Sequence, residues 1–254
     1  MILQGTALGE GPPLVLLHGL FGAGSNFGSM QRRLAALGRV WTLDLRNHGR
    51  SPHAPGMGYS TMAADVAETL EAEKIGPAAI LGHSMGGKVG MALALAEPHR
   101  VTRLLVADIA PARYAPHFRT ITAAMQALPL PPGLTRAAAD QQLRPAVPDD
   151  AVRSFLLQNL RFGSQPSWRI GLDEIAVGLP DIEGWDAAGQ YEGPVLSLGG
   201  ERSDYVLPEH RPAFRALFPA VRFATLHAAG HWLHVDAPDA FLAAVQGFIR
   251  GGGF

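Results

Sequence analysis

The sequence predicts an α/β protein, a mainly parallel and doubly wound sheet with an inserted helical cap. Three observations predict it. Short apolar runs alternate with longer helix-like segments through most of the chain. Several of those runs are apolar without alternation, as strands covered on both faces should be. One long stretch, roughly 114–191, breaks the rhythm and carries no strand pattern. Strands separated by helices wind into a parallel sheet, because each crossover lays its helix on a face.

Taken in order, Leu14–Leu17, Val40–Leu43, Ala78–Leu81, Leu104–Ala107, Val195–Leu198 and Arg222–Leu226 read as strands. Thr61–Glu73 reads as a helix capped by Ser60 and ending near Gly76. Gly86–Glu97, rich in Ala, Leu and Met, stops before Pro98. The last helix, Pro238–Arg250, sets Phe241, Leu242, Val245, Phe248 and Ile249 on one stripe and ends at Gly251–Gly253. Residues 114–191 hold clustered prolines (Pro129, Pro131, Pro132) and helical patterns such as Ala151–Leu160. The expected organisation is a core formed by 1–113 and 192–254, with 114–191 as a lid, since a long insertion between sheet strands is usually functional.

Composition excludes several classes. There are 254 residues, 47% apolar and 17% charged, so a continuous core needs no staples. The absence of cysteine excludes a disulfide framework, a thiolate zinc site and a cysteine nucleophile, and it suits a reducing, cytoplasmic setting. A net charge of −1 without a basic stripe speaks against nucleic acid as a partner. The first residues lack the basic start and apolar run of a secretory signal, and no apolar run reaches the ~20 residues of a membrane span.

The chemistry begins at Gly82-His83-Ser84-Met85-Gly86, which follows one predicted strand directly and opens the next helix. That is the context of a nucleophile elbow, a sharp turn that lifts a serine hydroxyl above the sheet. Ser84 is the expected nucleophile. The oxyanion formed on attack must meet preorganised N–H donors. Met85, the residue after the nucleophile, supplies one. The loop His18-Gly19-Leu20-Phe21-Gly22, at the end of the first predicted strand, supplies the other: Leu20, with Phe21 as its neighbour to consider, and His18 bracing the loop. The glycines of that loop match neither the dinucleotide fingerprint nor the P-loop.

Three histidines crowd His227-Ala228-Ala229-Gly230-His231-Trp232-Leu233-His234, just past the last predicted strand. Gly230 interrupts any helix that would align them on a metal, and no metal or other cofactor is expected. A serine hydrolase needs one histidine there as base, and His231 fits best. His227 is placed at the strand's end, and His234 in a packing role. The acid that orients the base has two candidates in chain order. Asp108 ends the strand Leu104–Ala107, where an unpaired buried carboxylate is costly, and is favoured on that ground. Asp204 lies in the loop after Val195–Leu198 and is the alternative. Asp173 reads as a solvated helix charge.

With these residues in place, the chain resembles the α/β-hydrolase superfamily, and more narrowly the YbfF-type esterases and their eukaryotic abhydrolase-domain relatives. The likeness rests on His18–Gly22, Asp44-Leu45-Arg46-Asn47-His48-Gly49-Arg50-Ser51, Gly82–Lys88, Asp108-Ile109-Ala110-Pro111, Phe155–Leu160 and Gly230-His231-Trp232. The Arg-Asn-His-Gly segment is distinctive of that branch, and Asn47 and His48 are taken as loop braces. The resemblance implies a carboxylesterase or thioesterase with a helical cap and favours Asp108, since the family often lacks an aspartate where Asp204 stands. Asp204 is present here, which keeps the acid open.

The expected activity is hydrolysis of small-to-medium acyl esters or thioesters through an acyl-enzyme on Ser84, with a small-molecule substrate. A lactonase, amidase or carbon–carbon bond hydrolase would share the same triad and differ only in the cap pocket. A non-catalytic receptor on this fold is the reading from another class, favoured by loss of a triad member. Phe155, Leu156, Leu160 and Phe162 are candidates for an acyl-binding wall, although core packing explains them equally well.

Overall fold

The computed structural model describes residues 1–251, so Gly252 and Gly253, expected to close the last helix, lie outside the described residues. Nine strands and ten α-helices follow in chain order among those described: β1 (Gly5–Leu8), β2 (Pro13–Leu17), α1 (Gly28–Leu34), β3 (Arg39–Leu43), α2 (Tyr59–Ala72), β4 (Ala78–His83), α3 (Met85–Ala96) and β5 (Val101–Ala107). Then come α4 (Phe118–Ala127), α5 (Arg136–Leu143), α6 (Asp150–Leu156), β6 (Leu160–Arg161), β7 (Ser167–Trp168) and α7 (Leu172–Glu183). The chain closes with β8 (Val195–Gly200), α8 (Arg211–Leu217), β9 (Val221–Leu226), α9 (Leu233–Asp236) and α10 (Pro238–Ile249).

Seven strands form one sheet in the order β1-β3-β2-β4-β5-β8-β9. Every pairing is parallel except β1 with β3. β1 escaped sequence reading because it is a four-residue edge strand with an exposed pattern and little apolar signal. The interior strands β4 and β8 are buried along their whole length, so their sequences carry no alternation.

Helices cover both faces. One face packs Val15, Leu17, Ile80, Val106 and Val195 against α2, α3 and α7. The other packs Leu14, Leu16, Leu81, Leu105 and Leu196 against α1 and α10. Both faces being apolar is what lets a two-residue period disappear from the strands. α3 is buried from Met85 to Ala94, and its small residues allow it to sit close to β4 and β5. A Cβ on Gly90 would stand 3.1 Å from both Ile80 and Leu104 side chains.

Two sequence expectations need correction, one about a helix and one about a strand. α2 begins at Tyr59 with Gly58 as its N-cap, not at Thr61 with Ser60 as the cap. Tyr59 is buried against Trp185 and joins the helix early for that packing. The segment 114–191 does contain strand, since β6 and β7 pair as a two-residue antiparallel ladder too short to leave a sequence pattern. That segment leaves the sheet at the C-terminal end of β5 and the chain re-enters it at the N-terminal end of β8, which runs parallel to β5. It carries a small core of its own, Leu128, Leu134, Ala139, Leu143, Leu157 and Leu160. α7, with Ile175, Leu179 and Ile182, packs into the main core instead.

Candidate active site

The turn between β4 and α3 has a shape that only its glycines permit. A Cβ on Gly82 would lie 2.2 Å from the Gly86 carbonyl oxygen, and one on Gly86 would lie 2.3 Å from that of Leu17. Ser84 between them is held at φ 53° and ψ −122°, a region that L-residues rarely occupy. Its amide donates to the Ala107 carbonyl at 2.9 Å, tying the turn to β5. Ser84 lines a cleft together with Leu20, Met85, Ile109, Tyr114, Phe118 and Tyr205. Ser84 sits at the N-terminus of the twelve-residue α3, where the helix dipole and free amides favour negative charge.

Asp108 and His231 meet across the sheet. Asp108 ends β5 at φ 53° and is fully buried. Its Oδ1 accepts from the Gly200 amide at 3.0 Å, and its Oδ2 accepts from the Ser203 hydroxyl and from His231 Nδ1 at 2.7 Å. Three donors offset the cost of burying the carboxylate. Asp204 is exposed and makes no side-chain bond to His231 among the described residues. The bond to Asp108 occupies His231 Nδ1 and leaves Nε2 without a hydrogen-bond partner among the described residues. Ser84 and His231 are not joined by a hydrogen bond among the described residues, a separation common before substrate binds. Tyr205 stacks on the His231 ring at 4.1 Å, and the His83 ring donates to the His231 carbonyl at 2.8 Å.

The other two histidines of that loop lie apart. His227 is exposed and pairs with Glu201 at 2.8 Å. His234 packs between Phe27 and Phe241, and burial lowers its pKa to about 4. No cluster of three or more metal-ligating side chains occurs among the described residues. No helix among them is long and apolar enough to cross a membrane.

On the opposite rim, the Leu20–Phe21 loop is held by two neutral histidines. His48 accepts the Phe21 amide on Nε2 at 3.1 Å while its Nδ1 donates to the Arg46 carbonyl at 2.8 Å. His18 accepts the Leu45 amide on Nε2 at 2.9 Å while its Nδ1 donates to the Gly19 carbonyl at 2.8 Å. Burial lowers the two to about 3 and about 4, so both keep an acceptor nitrogen at neutral pH. The Phe21 amide is thus committed. The Leu20 and Met85 amides have no partner within the fold among the described residues, and both residues face the cleft. Asn47 accepts the Gly171 amide on its backbone carbonyl at 2.8 Å, so the Arg-Asn-His-Gly segment braces the Leu20–Phe21 loop and the insertion together.

The expected acyl wall is elsewhere. Leu156 and Leu160 are interior to the packed cores, Phe162 is exposed, and Phe155 packs at a tilt against Trp232. The apolar lining comes instead from Ile109, Phe118 and Ile182, with Tyr114 and Tyr205. Sequence reading missed Ser203, Tyr205, Lys88 and Glu183. Lys88 left one signal, being the lone charge in an otherwise apolar helix. Ser203 and Glu183 left none, because each arrives from a distant element.

A family model described as alpha/beta hydrolase fold matches residues 12–238. The sn-1-specific diacylglycerol lipase ABHD11 of Danio rerio is 41% identical over 252 residues, covering 95% of this chain and 80% of that protein. Esterase YbfF of Escherichia coli is 37% identical, covering 94% and 93%. Among solved structures, a marine microorganism esterase superposes with a TM-score of 0.94 at 34% identity, covering 97% of this chain and 99% of that one.

Proposed function

The chain belongs to the α/β-hydrolase family and is an ester-cleaving serine hydrolase, and on that premise we propose that it works through an acyl-enzyme on Ser84, with His231 as base and Asp108 as its orienting acid. The observation that carries the assignment is the 2.7 Å bond from His231 Nδ1 to a carboxylate buried at the end of β5. Asp108 fixes the tautomer that leaves Nε2 basic and stabilises the imidazolium that forms.

In the first half-reaction the Ser84 oxygen attacks the ester carbonyl as its proton passes to His231 Nε2. The carbonyl oxygen takes the negative charge and is met by the Leu20 and Met85 amides, reinforced by the α3 dipole. Collapse breaks the ester bond, and the leaving alkoxide takes the proton from His231. In the second half, water loses a proton to the same nitrogen and attacks the acyl carbon. Ser84 then departs with that proton, and the acid is released. The insertion 114–191 acts as a cap, its Phe118 and Ile182 forming part of the wall beside Ser84.

The apolar lining from Ile109, Phe118 and Ile182 suits short-to-medium acyl groups, and thioesters of the same acids suit the same machinery. Diacylglycerol, named for the Danio rerio relative, is a second candidate, with its longer chains leaving through the open mouth of the cleft. A cytoplasmic location belongs to the same proposal and rests on the cysteine-free composition.

The test is turnover of p-nitrophenyl esters from acetate to laurate by wild type and Ser84→Ala, with a fluorophosphonate adduct mapped by mass spectrometry. A fall of at least ~10³-fold and an adduct on Ser84 are expected. Unchanged rates, or an adduct at another residue, would remove the assignment.

A further inference from the structure

Beside His117, whose Nε2 is bonded to the Tyr205 hydroxyl, and three tyrosines, the cleft is lined by a lysine and a glutamate that the proposed reaction does not use. Lys88 stands four residues after Ser84 on α3, so the two lie on one helix face a single turn apart. It is 1% exposed and donates to the Gly184 carbonyl at 2.6 Å, with its ammonium 5.2 Å from the Tyr59 ring and 4.8 Å from that of Tyr114. Glu183 ends α7, is 3% exposed, and lines the same cleft. Its Oε1 is buried without any hydrogen-bond partner, while Oε2 stands 4.0 Å from Arg119. No ion pair joins Lys88 to Glu183 among the described residues.

A buried carboxyl oxygen without a donor is costly, and a lysine using one of its three donor positions has capacity to spare. Both line the cleft beside Ser84. The chemistry of the pair restricts what that substrate offers. A carboxylate would meet Glu183, and an ammonium group would meet Lys88 and the nearby Arg113. A hydrocarbon would leave Glu183 Oε1 without a donor and give Lys88 nothing beyond Gly184. A hydroxyl serves both at once, accepting from Lys88 Nζ and donating to Glu183 Oε1. Burial and Arg113 lower Lys88 to about 7, and it donates N–H as ammonium or amine, so a neutral acceptor is sufficient for it.

We propose that Lys88 and Glu183 form a hydroxyl-binding subsite one helical turn from the nucleophile, and that preferred substrates are esters with a free hydroxyl near the scissile carbonyl. The proposal rests on Ser84 being the nucleophile. It makes the pair a specificity device, since a site built to hydrogen-bond a hydroxyl rejects an analogue whose hydroxyl is blocked.

Two matched pairs test it: 2-hydroxyethyl butyrate against 2-methoxyethyl butyrate, and ethyl 3-hydroxybutyrate against ethyl 3-methoxybutyrate. They place the hydroxyl on the alcohol and the acyl side respectively. Wild-type kcat/KM is expected to favour the hydroxyl member of at least one pair by about tenfold or more. In Lys88→Met and Glu183→Met, which keep an unbranched side chain of similar length, that ratio should fall toward one. Circular dichroism establishes that each variant is folded, and the wild-type ratio decides alone if either is not. Equal wild-type kcat/KM within both pairs overturns the subsite and leaves the Ser84 reading standing, because every ester still turns over. A ratio retained in both folded variants overturns the residue assignment. Failure of wild type to cleave any of the four esters overturns both proposals together.

Discussion

At the scale of single residues, the position of Asp108 separates two carboxylates that look alike in the sequence. It is buried and holds three donors, His231 among them, whereas Asp204 faces solvent. On the proposed roles, Asp108→Asn should lower kcat for p-nitrophenyl butyrate by roughly 10²–10⁴-fold, because the amide favours the wrong imidazole tautomer. Asp204→Asn should change it by less than about threefold. Steady-state kinetics on both variants checks this, and the reverse order would transfer the acid role to Asp204. The burial argument was legible in one sequence, since a carboxylate ending an apolar strand needs partners. The identity of those partners was not, because Gly200, Ser203 and His231 are supplied by the β8 end, the loop after it and the loop after β9. Lys88 and Glu183 show the same limit: residue type is readable, but burial and the direction of a side chain across a cleft are not.

At the scale of elements, the strand–elbow–helix unit is specified almost wholly by local sterics. Gly82 and Gly86 are required by contacts within that turn and to the end of β2, and this is why five residues announce it. Gly86→Ala would press a methyl group against the Leu17 carbonyl at 2.3 Å, and neither backbone segment can retreat from a sheet that fixes both. A loss of more than about 2 kcal/mol of stability is expected, read from chemical denaturation followed by circular dichroism. An unfolding midpoint equal to wild type would show that the turn can relax. Elements with weaker local signals were misjudged or missed. α2 begins two residues early because Tyr59 is drawn into the core, and β1 and the β6–β7 ladder are too short for a period to emerge.

At the scale of the whole molecule, the core holds histidines that must stay neutral. His18, His48 and His234 have folded pKa values of about 4, about 3 and about 4, lowered from 6.5 chiefly by burial. The unfolded chain therefore binds protons between about pH 6.5 and 4 that the folded chain excludes, so stability falls as pH drops through that window and is unaffected by these groups above it. The slope should reach up to about 1.4 kcal/mol per pH unit for each histidine. Urea unfolding at pH 7.5, 6 and 5 measures it, and His234→Phe, seated between Phe27 and Phe241, should flatten the decline. A stability independent of pH across that range would contradict the buried-neutral state. By itself, the sequence determined the α/β-hydrolase architecture, the elbow at Ser84 and the candidates around it, because periodicity and glycine sterics act over a few neighbouring residues. Only the tertiary structure decided which carboxylate meets His231 and which charged groups line the cleft. Those meetings join residues as far as 123 positions apart, and they exist because the sheet order sets β5 and β9 on either side of β8.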